Sequence, residues 1–326
     1  MALTEVRDLE GLRTGLERWL GHPVGALARP APGFSCETLV VDGELVIRLP
    51  PVSEGIFPTY DLRQQAAVQD AAGAAGVPVA GPARYEEDES FLGAAFVAMP
   101  FADGPIPSDF TPTDPWLTGL PDDAARRTAW DGFVDALVAI HGTPMEGLGL
   151  REGLAAELDE WDRYVAWSTD GAPPAALVDV LAWCRANAPA VEPSAGLLWG
   201  DVRLGNVVFD ADRGVPRAVL DWDMASAGPF ELDLAWFLAL EQVQVDLTAM
   251  SVPGFGSRAE AIARCEAALG RELQDLGWYE VFSLARGSAI STRIAVLHQR
   301  AGQRSMFKVG EDPTLAAAVA RIEAAR

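Results

Sequence analysis

The chain reads as an α+β protein of two lobes, a small β-rich N-lobe and a larger, mainly helical C-lobe. Three observations predict this. First, β-branched runs on either side of Asp42-Gly43 spell a hairpin near the start. Second, "PFADGPIPSDFTPTDP", residues 100–115, packs five prolines into sixteen residues, a linker composition. Third, apolar residues after it recur mostly at helical spacing. The boundary is placed after residue 102, which gives lobes of 1–102 and 103–326.

The elements follow in order. Leu9, Leu12, Leu16 and Trp19-Leu20 lie on one helical face, and Gly21-His22-Pro23 ends that helix. "RPAPGFSCE" is a loop leading into "TLVVDGELVIRL", the hairpin. Strong helix formers from Tyr60 to Ala75 stop at Gly76-Val77-Pro78. Short strands are expected around Ala83–Tyr85 and Ala94–Met99. Beyond the linker, helices are expected at roughly 121–141, 153–168 and 174–188. Strand-like segments then interrupt them in "LLWGDVRLGNVVFD" and "RAVLDWD", and helices resume from Phe230.

Composition limits the function classes. Apolar residues make up 49% of the 326, and 47 acids against 25 bases give a net charge of −22. Such a chain repels nucleic acid and anionic membrane surfaces, whose binding rests on Lys and Arg neutralising phosphate. It draws cationic small molecules more readily. Cys36, Cys184 and Cys265 are scattered and odd in number, which argues against a disulfide framework or a zinc site and fits a cytoplasmic protein. His22, His141 and His298 are equally dispersed. The N-terminus does not read as a signal peptide, and no stretch approaches the ~20 apolar residues of a membrane span. Lysine is nearly missing, with Lys308 alone.

In the second lobe the polar residues gather in two strand-end loops. One offers Asp201, Arg203 and Asn206; the other offers Asp221 directly after "AVL". Asn206 and Asp221 are hard oxygen donors suited to Mg²⁺. Asp201 can take a proton from an attacking hydroxyl, and Arg203 can offset charge on a moving phosphoryl group. A base, metal ligands and cationic clamps are what phosphoryl transfer needs. Asp201 and Asn206 are five residues apart, the spacing of base and metal-binding Asn in a kinase catalytic loop. Alone that spacing is weak evidence; set between two strands and followed by strand–Asp, it is more specific.

"WGDVRLGNVVFD" with "AVLDWDMASAGPFELDLAW" resembles the signature of the aminoglycoside phosphotransferase-like family, whose fold is protein-kinase-like. "GFSCETLVVDGELVIRLPP" resembles that family's nucleotide loop and first hairpin, and "FLGAAFVAMPFADG" its fifth strand and hinge. The resemblance implies an ATP- and Mg²⁺-dependent transfer of the γ-phosphate to a hydroxyl of a small molecule. Asp201 would be the base, Asn206 and Asp221 the metal ligands, and Arg203 the contact to the γ-phosphate. Gly33, Phe34 and Ser35 would cover the phosphates. The backbone of Met99, Pro100 and Phe101 would meet adenine. Asp233 would tie the catalytic core together. The wording of these motifs lies nearer an acyl-CoA-dehydrogenase-associated branch than known resistance enzymes, so the acceptor is antibiotic-like or hydroxyacyl-like. Glu231, Glu241, Asp246 and the helix over 153–170 are candidates to line its site.

Three departures stand out. Trp199 replaces the family's usual His, a scaffold position. Arg48 replaces the third-strand Lys and can still clamp phosphates. Its helix partner falls on Gln65, or else Gln64, a neutral amide able to hydrogen-bond a guanidinium but not to pair with it. That loss motivates a second reading, a nucleotide-binding pseudokinase acting as scaffold or regulator. Asp223 reads as a solvated or structural neighbour, His141 as a structural helix-end residue and Cys36 as incidental.

Overall fold

The computed structural model describes residues 6–30 and 35–325. Helix α1 (Leu9–Leu20) starts where the Asp8 carboxylate accepts the Gly11 N–H at 2.7 Å and ends at Gly21, in the left-handed region at φ 77°. The predicted apolar face is the buried one. Leu12 and Leu16 pack on Leu39, Ile47 and Phe96 of a five-stranded antiparallel sheet.

That sheet holds β1 (Leu27–Ala28), β2 (Glu37–Val41), β3 (Leu45–Leu49), β4 (Arg84–Glu86) and β5 (Phe96–Pro100), in the order β1-β2-β3-β5-β4. The β2–β3 turn places Asp42 and Gly43 at φ 55° and 71°, the left-handed pair that this dipeptide favours. Helix α2 (Leu62–Ala74) is capped by Asp61 and packs on β4 and β5.

The remaining helices are α3 (Pro115–Gly119), α4 (Asp123–His141), α5 (Leu154–Ser168), α6 (Ala175–Ala186), α7 (Glu231–Thr248), α8 (Arg258–Leu269), α9 (Leu276–Arg300) and α10 (Pro313–Ala324). Helix α9 runs through their centre and packs against α5, α6, α7 and α10. Between α6 and α7 lie β6 (Gly196–Leu198), a 3₁₀ turn (Leu204–Asn206), β7 (Val207–Phe209), β8 (Pro216–Val219) and β9 (Ser226–Gly228). They form two antiparallel pairs, β6 with β9 and β7 with β8. The strand-end loops that carry the polar residues therefore emerge side by side.

Three apolar clusters hold the molecule together. One joins α1 to the sheet and one fills the helical region around Trp130, Phe133, Trp199 and Phe282. The third unites Cys36, Leu62, Val97 and Met99 with Val208 and Ala218. It draws on residues before and after position 102, so the sheet, α2 and the β7–β8 pair share one dry seam.

The structure qualifies one expectation and adds two strands that the sequence reading does not contain. The proline-rich segment is packed rather than free: it carries a 3₁₀ turn (Thr111–Thr113) and α3, and its Pro105 carbonyl accepts the Phe209 N–H at 2.9 Å. Buried Asp114 caps α3 through the Leu117 N–H at 2.9 Å and also accepts the Ser108 N–H at 2.7 Å. Strand β9, "SAG", has no β-branched residue to announce it. Strand β1 is two residues long, below any pattern.

Candidate active site

The first polar loop begins as β6 ends. Gly200 sits at φ 89°, and a Cβ there would fall 2.3 Å from the Met224 carbonyl oxygen, so only glycine fits. Asp233, in the first turn of α7, accepts the N–H groups of Trp199 at 2.7 Å and Gly200 at 2.9 Å. Burial pushes this carboxyl up to about 6, against the pull of those two hydrogen bonds. From the other side Arg286, buried on α9 and stacked near Trp161 and Trp236, donates to the Gly200 carbonyl at 3.3 Å. The Gly200 peptide is thus held at both ends.

Trp199 has a role that a sequence reading does not supply. Its indole N–H lies 2.9 Å from the Leu220 carbonyl and 3.0 Å from that of Asp221. Leu220 N–H in turn donates to the Asn206 carbonyl at 2.8 Å. The two polar loops are therefore stitched together through the backbone.

Asp201, Arg203 and Asn206 do converge. One Asp201 carboxylate oxygen accepts Asn206 Nδ2 at 2.8 Å and Arg203 Nε at 2.9 Å. Asn206 Nδ2 also reaches the Asp201 carbonyl at 3.0 Å, and its own Oδ1 has no partner among the described residues. Arg203 makes a further ion pair with Asp109, contributed by the proline-rich segment. Burial works against the Arg203 charge, but Asp201 and then Asp109 more than offset it and raise its pKa. Nothing in the sequence signals the Asp109 contact, which spans 94 positions.

Asp221 lies beyond β8 at φ 62°, a left-handed conformation that Asp tolerates better than most side chains. Burial, then the Asp223 carboxylate, push it up to about 6, with Arg48 opposing. Arg48 reaches Asp223 at 3.2 Å and Asp221 at 3.6 Å. Two carboxylates thus share one guanidinium, leaving negative charge that a divalent cation would neutralise. Among the described residues no group of three or more His, Cys, Asp or Glu is arranged to hold a metal. The donor set fits instead an ion bound by Asp221 and Asn206 and completed by phosphates and water.

Several expected residues are placed differently. Gln65 does not bond Arg48; its amide donates to Asp223, which is nearly buried and not solvated. Gln64 turns the other way, to the carbonyls of Leu148 and Gly149. Gly33 and Phe34 lie outside the described residues, while Ser35 lines the cavity. Met99, Pro100 and Phe101 line the cavity together with Ala102, but Phe101 N–H is already given to the Glu44 carbonyl at 2.7 Å and Pro100 has none, so neither supplies a backbone donor there. Cys36 lines the cavity, but burial pushes its thiol up to about 12, so it stays protonated. His141 packs edge-on to Phe230, and burial pushes its pKa below the ordinary imidazole value.

A cavity of about 880 Å³ connects all of this. Arg48, Asp201, Arg203, Asn206 and Asp221 line it, as do Trp236, Leu240 and Ile290 from α7 and α9. Of the expected acceptor-lining acids only Glu241 does so. Glu231 is fully buried in an ion pair with Arg271, Asp246 is exposed and bonded to Gln242, and no residue of α5 lines the cavity.

A family model described as "Phosphotransferase enzyme family" matches residues 29–276, most of the chain and every loop just described. The chain belongs to this family. Among curated relatives it is 30% identical over 199 residues to human acyl-CoA dehydrogenase family member 11, and 26% identical over 231 residues to probable acyl-CoA dehydrogenase IBR3 of Arabidopsis thaliana. Those matches take in 59% and 64% of this chain but only 24% and 27% of the relatives. The chain thus spans about a quarter of their length. Among solved structures, a putative aminoglycoside phosphotransferase from Ralstonia eutropha superposes with a TM-score of 0.70 at 22% identity, covering 95% of this chain and 98% of that one. The GDP complex of aminoglycoside 2'-phosphotransferase-IIIa superposes at 0.58 with 14% identity, covering 98% of each. These likenesses show the bilobal protein-kinase-like fold. No helix among the described residues is long and apolar enough to cross a membrane.

Proposed function

We propose that this phosphotransferase moves the γ-phosphoryl group of ATP to a hydroxyl of a small molecule, in a site between a nucleotide lobe of residues 1–102 and an acceptor lobe of residues 103–326. The observation that carries this reading is the Asp201 carboxylate, oriented by Asn206 and Arg203 in the same cavity as Asp221 and Arg48. Asp201 accepts the proton of the acceptor hydroxyl as the new O–P bond forms and the bond from the γ-phosphorus to the β,γ-bridging oxygen breaks, with ADP as the leaving group. Arg203 and Arg48 offset the charge on the moving group. Asp221 and Asn206, through its Oδ1, would hold Mg²⁺, which would supply neutralisation of the phosphate oxygens when bound. The backbone of Met99 to Ala102 meets the base, and Ser35 lies over the phosphates.

The acceptor end is apolar. Trp236, Phe237, Leu240, Ile290, Ile294 and Phe307 line it. Glu241 is the acid there without a partner among the described residues, whereas Asp312 is taken up by Ser288, Thr314 and the Leu315 N–H. That lining suits a largely apolar alcohol, such as a hydroxyacyl compound or an apolar antibiotic, better than a polycationic sugar, which needs several acids. The scaffold reading rested on a lost partner for Arg48, yet Arg48 retains a carboxylate partner in Asp223, so catalysis comes first.

Calorimetric titration with Mg²⁺ and a non-hydrolysable ATP analogue, beside Asp221→Ala, tests the site. Metal-dependent binding that the variant loses is the expected result. Binding with no turnover of any hydroxylated acceptor would favour the scaffold, and full activity of the variant would sink the metal assignment.

A further inference from the structure

Asp223 is the point where three elements meet, and neither the metal nor the acceptor reading uses it. One oxygen faces Arg48 of β3 at 3.2 Å; the other accepts the side-chain amide of Gln65 on α2. Its side chain is 4% exposed, against 29% for Asp221. Both oxygens are occupied, so Asp223 is spent on protein contacts while Asp221, farther from Arg48 and more open, stays available to an ion. The amide at position 65 belongs to the same arrangement. An acid there would set two like charges within hydrogen-bond reach of each other, with Arg48 alone to compensate them. An amide donates to Asp223 without adding charge.

We propose that Asp223 is a positioning residue for phosphoryl transfer, a loop carboxylate that fixes Arg48 towards the nucleotide phosphates and couples it to α2. Gln65 is then the complement of Asp223 and not a degraded ion-pair partner. The inference rests on the nucleotide site proposed above.

A double-mutant cycle on the whole chain tests it, with Asp223→Asn, Gln65→Glu and both together. The readouts are the dissociation constant of the Mg²⁺-bound ATP analogue, KM for ATP against kcat, and the Mg²⁺ concentration for half-maximal activity at saturating nucleotide. Asp223→Asn leaves Arg48 without its nearest acid, and Gln65→Glu creates the acid–acid clash. Each single change is expected to weaken nucleotide binding about tenfold, with the Mg²⁺ requirement unchanged. The double variant moves the carboxylate to α2 and the amide to the loop, and should return binding to within about threefold of the parent. If Asp223→Asn fails to fold, tighter binding by the double variant than by Gln65→Glu alone still supports the coupling. Additive losses would overturn it. A raised Mg²⁺ requirement in Asp223→Asn, with nucleotide affinity intact, would overturn it too and make Asp223 a metal ligand. Absence of analogue binding by the parent protein would defeat the nucleotide-site reading as well, which separates the two failures.

Discussion

At the scale of single residues, the site is built from acids in unequal surroundings. Asp201 is oriented by two donors from its own loop, and it is the base of the reaction proposed above. Asp201→Asn should lower kcat by ~10²–10⁴ while leaving binding of the ATP analogue near that of the parent, since the base acts only as the hydroxyl reacts. Steady-state kinetics beside calorimetry would separate the two effects. Glu241 differs: burial alone pushes it up to about 7 from an ordinary 4.5. Between those values the folded chain holds a proton that the unfolded chain has released. The Glu241 contribution to stability therefore falls as pH rises through that window and is lowest above about 7. Glu241→Gln should remove this slope and stabilise the protein at pH 8 by ~1–2 kcal/mol, a figure reduced for partial exposure. Urea unfolding at pH 5 and pH 8 measures it; equal shifts at both would refute the burial account. Asp221 is legible in sequence because it ends an apolar run, and Asp201 because it stands five residues before Asn206 in a loop between two such runs. The engagement of Asp223 is not, because it depends on where β3 and α2 arrive in space.

At the scale of elements, local chemistry and packing agree in most places. Helix α1 carries its cap, its stripe and its glycine stop in order, and Leu16 is completely buried on the sheet. Leu16→Ala should cost ~2–5 kcal/mol by opening a cavity there, read as a lowered urea midpoint with unchanged m-value. The proline-rich segment is where local chemistry misleads. Proline and Asp suit a turn or a helix start as well as a linker, and here Asp114 starts α3 and also ties down Ser108. Asp114→Ala should cost ~1–2 kcal/mol, the loss of a cap that also strands a second N–H. It should also loosen Asp109 and so free Arg203. Thermal unfolding and hydrogen exchange at Ser108 and Leu117 would register both. A segment that was only a linker would show neither change.

At the scale of the whole molecule, a net charge of −22 leaves the folded chain repelling itself, and the cavity repeats the pattern with more acids than arginines. Screening should relieve this. Raising NaCl from about 10 mM to about 200 mM, where the Debye length falls from ~30 Å towards 8 Å, should raise the melting temperature by a few degrees. Mg²⁺ at equal ionic strength should raise it further, through Asp221 and Asn206, and Asp221→Ala should keep the first effect and lose the second. An equal response to both salts in the parent would count against a specific cation site.

What the sequence determined by itself is what short-range physics encodes. Period and capping decide α1, α2 and the long helices, Asp42-Gly43 decides the hairpin turn, a buried run that ends in an acid marks Asp221, and the spacing to Asn206 marks Asp201. The tertiary structure alone decided which charges pair. Arg203 finds Asp109 across 94 positions, Arg48 finds Asp223 across 175, and Gln65 bonds that carboxylate rather than the guanidinium. It also decided that β9 pairs with β6 despite a sequence of small residues, and that of the acids lining the cavity Glu241 alone has no partner among the described residues. The reason is physical. A side chain's partner is set by the packing of whole elements, and long-range electrostatics leaves no periodic trace along the chain from which that packing could be read.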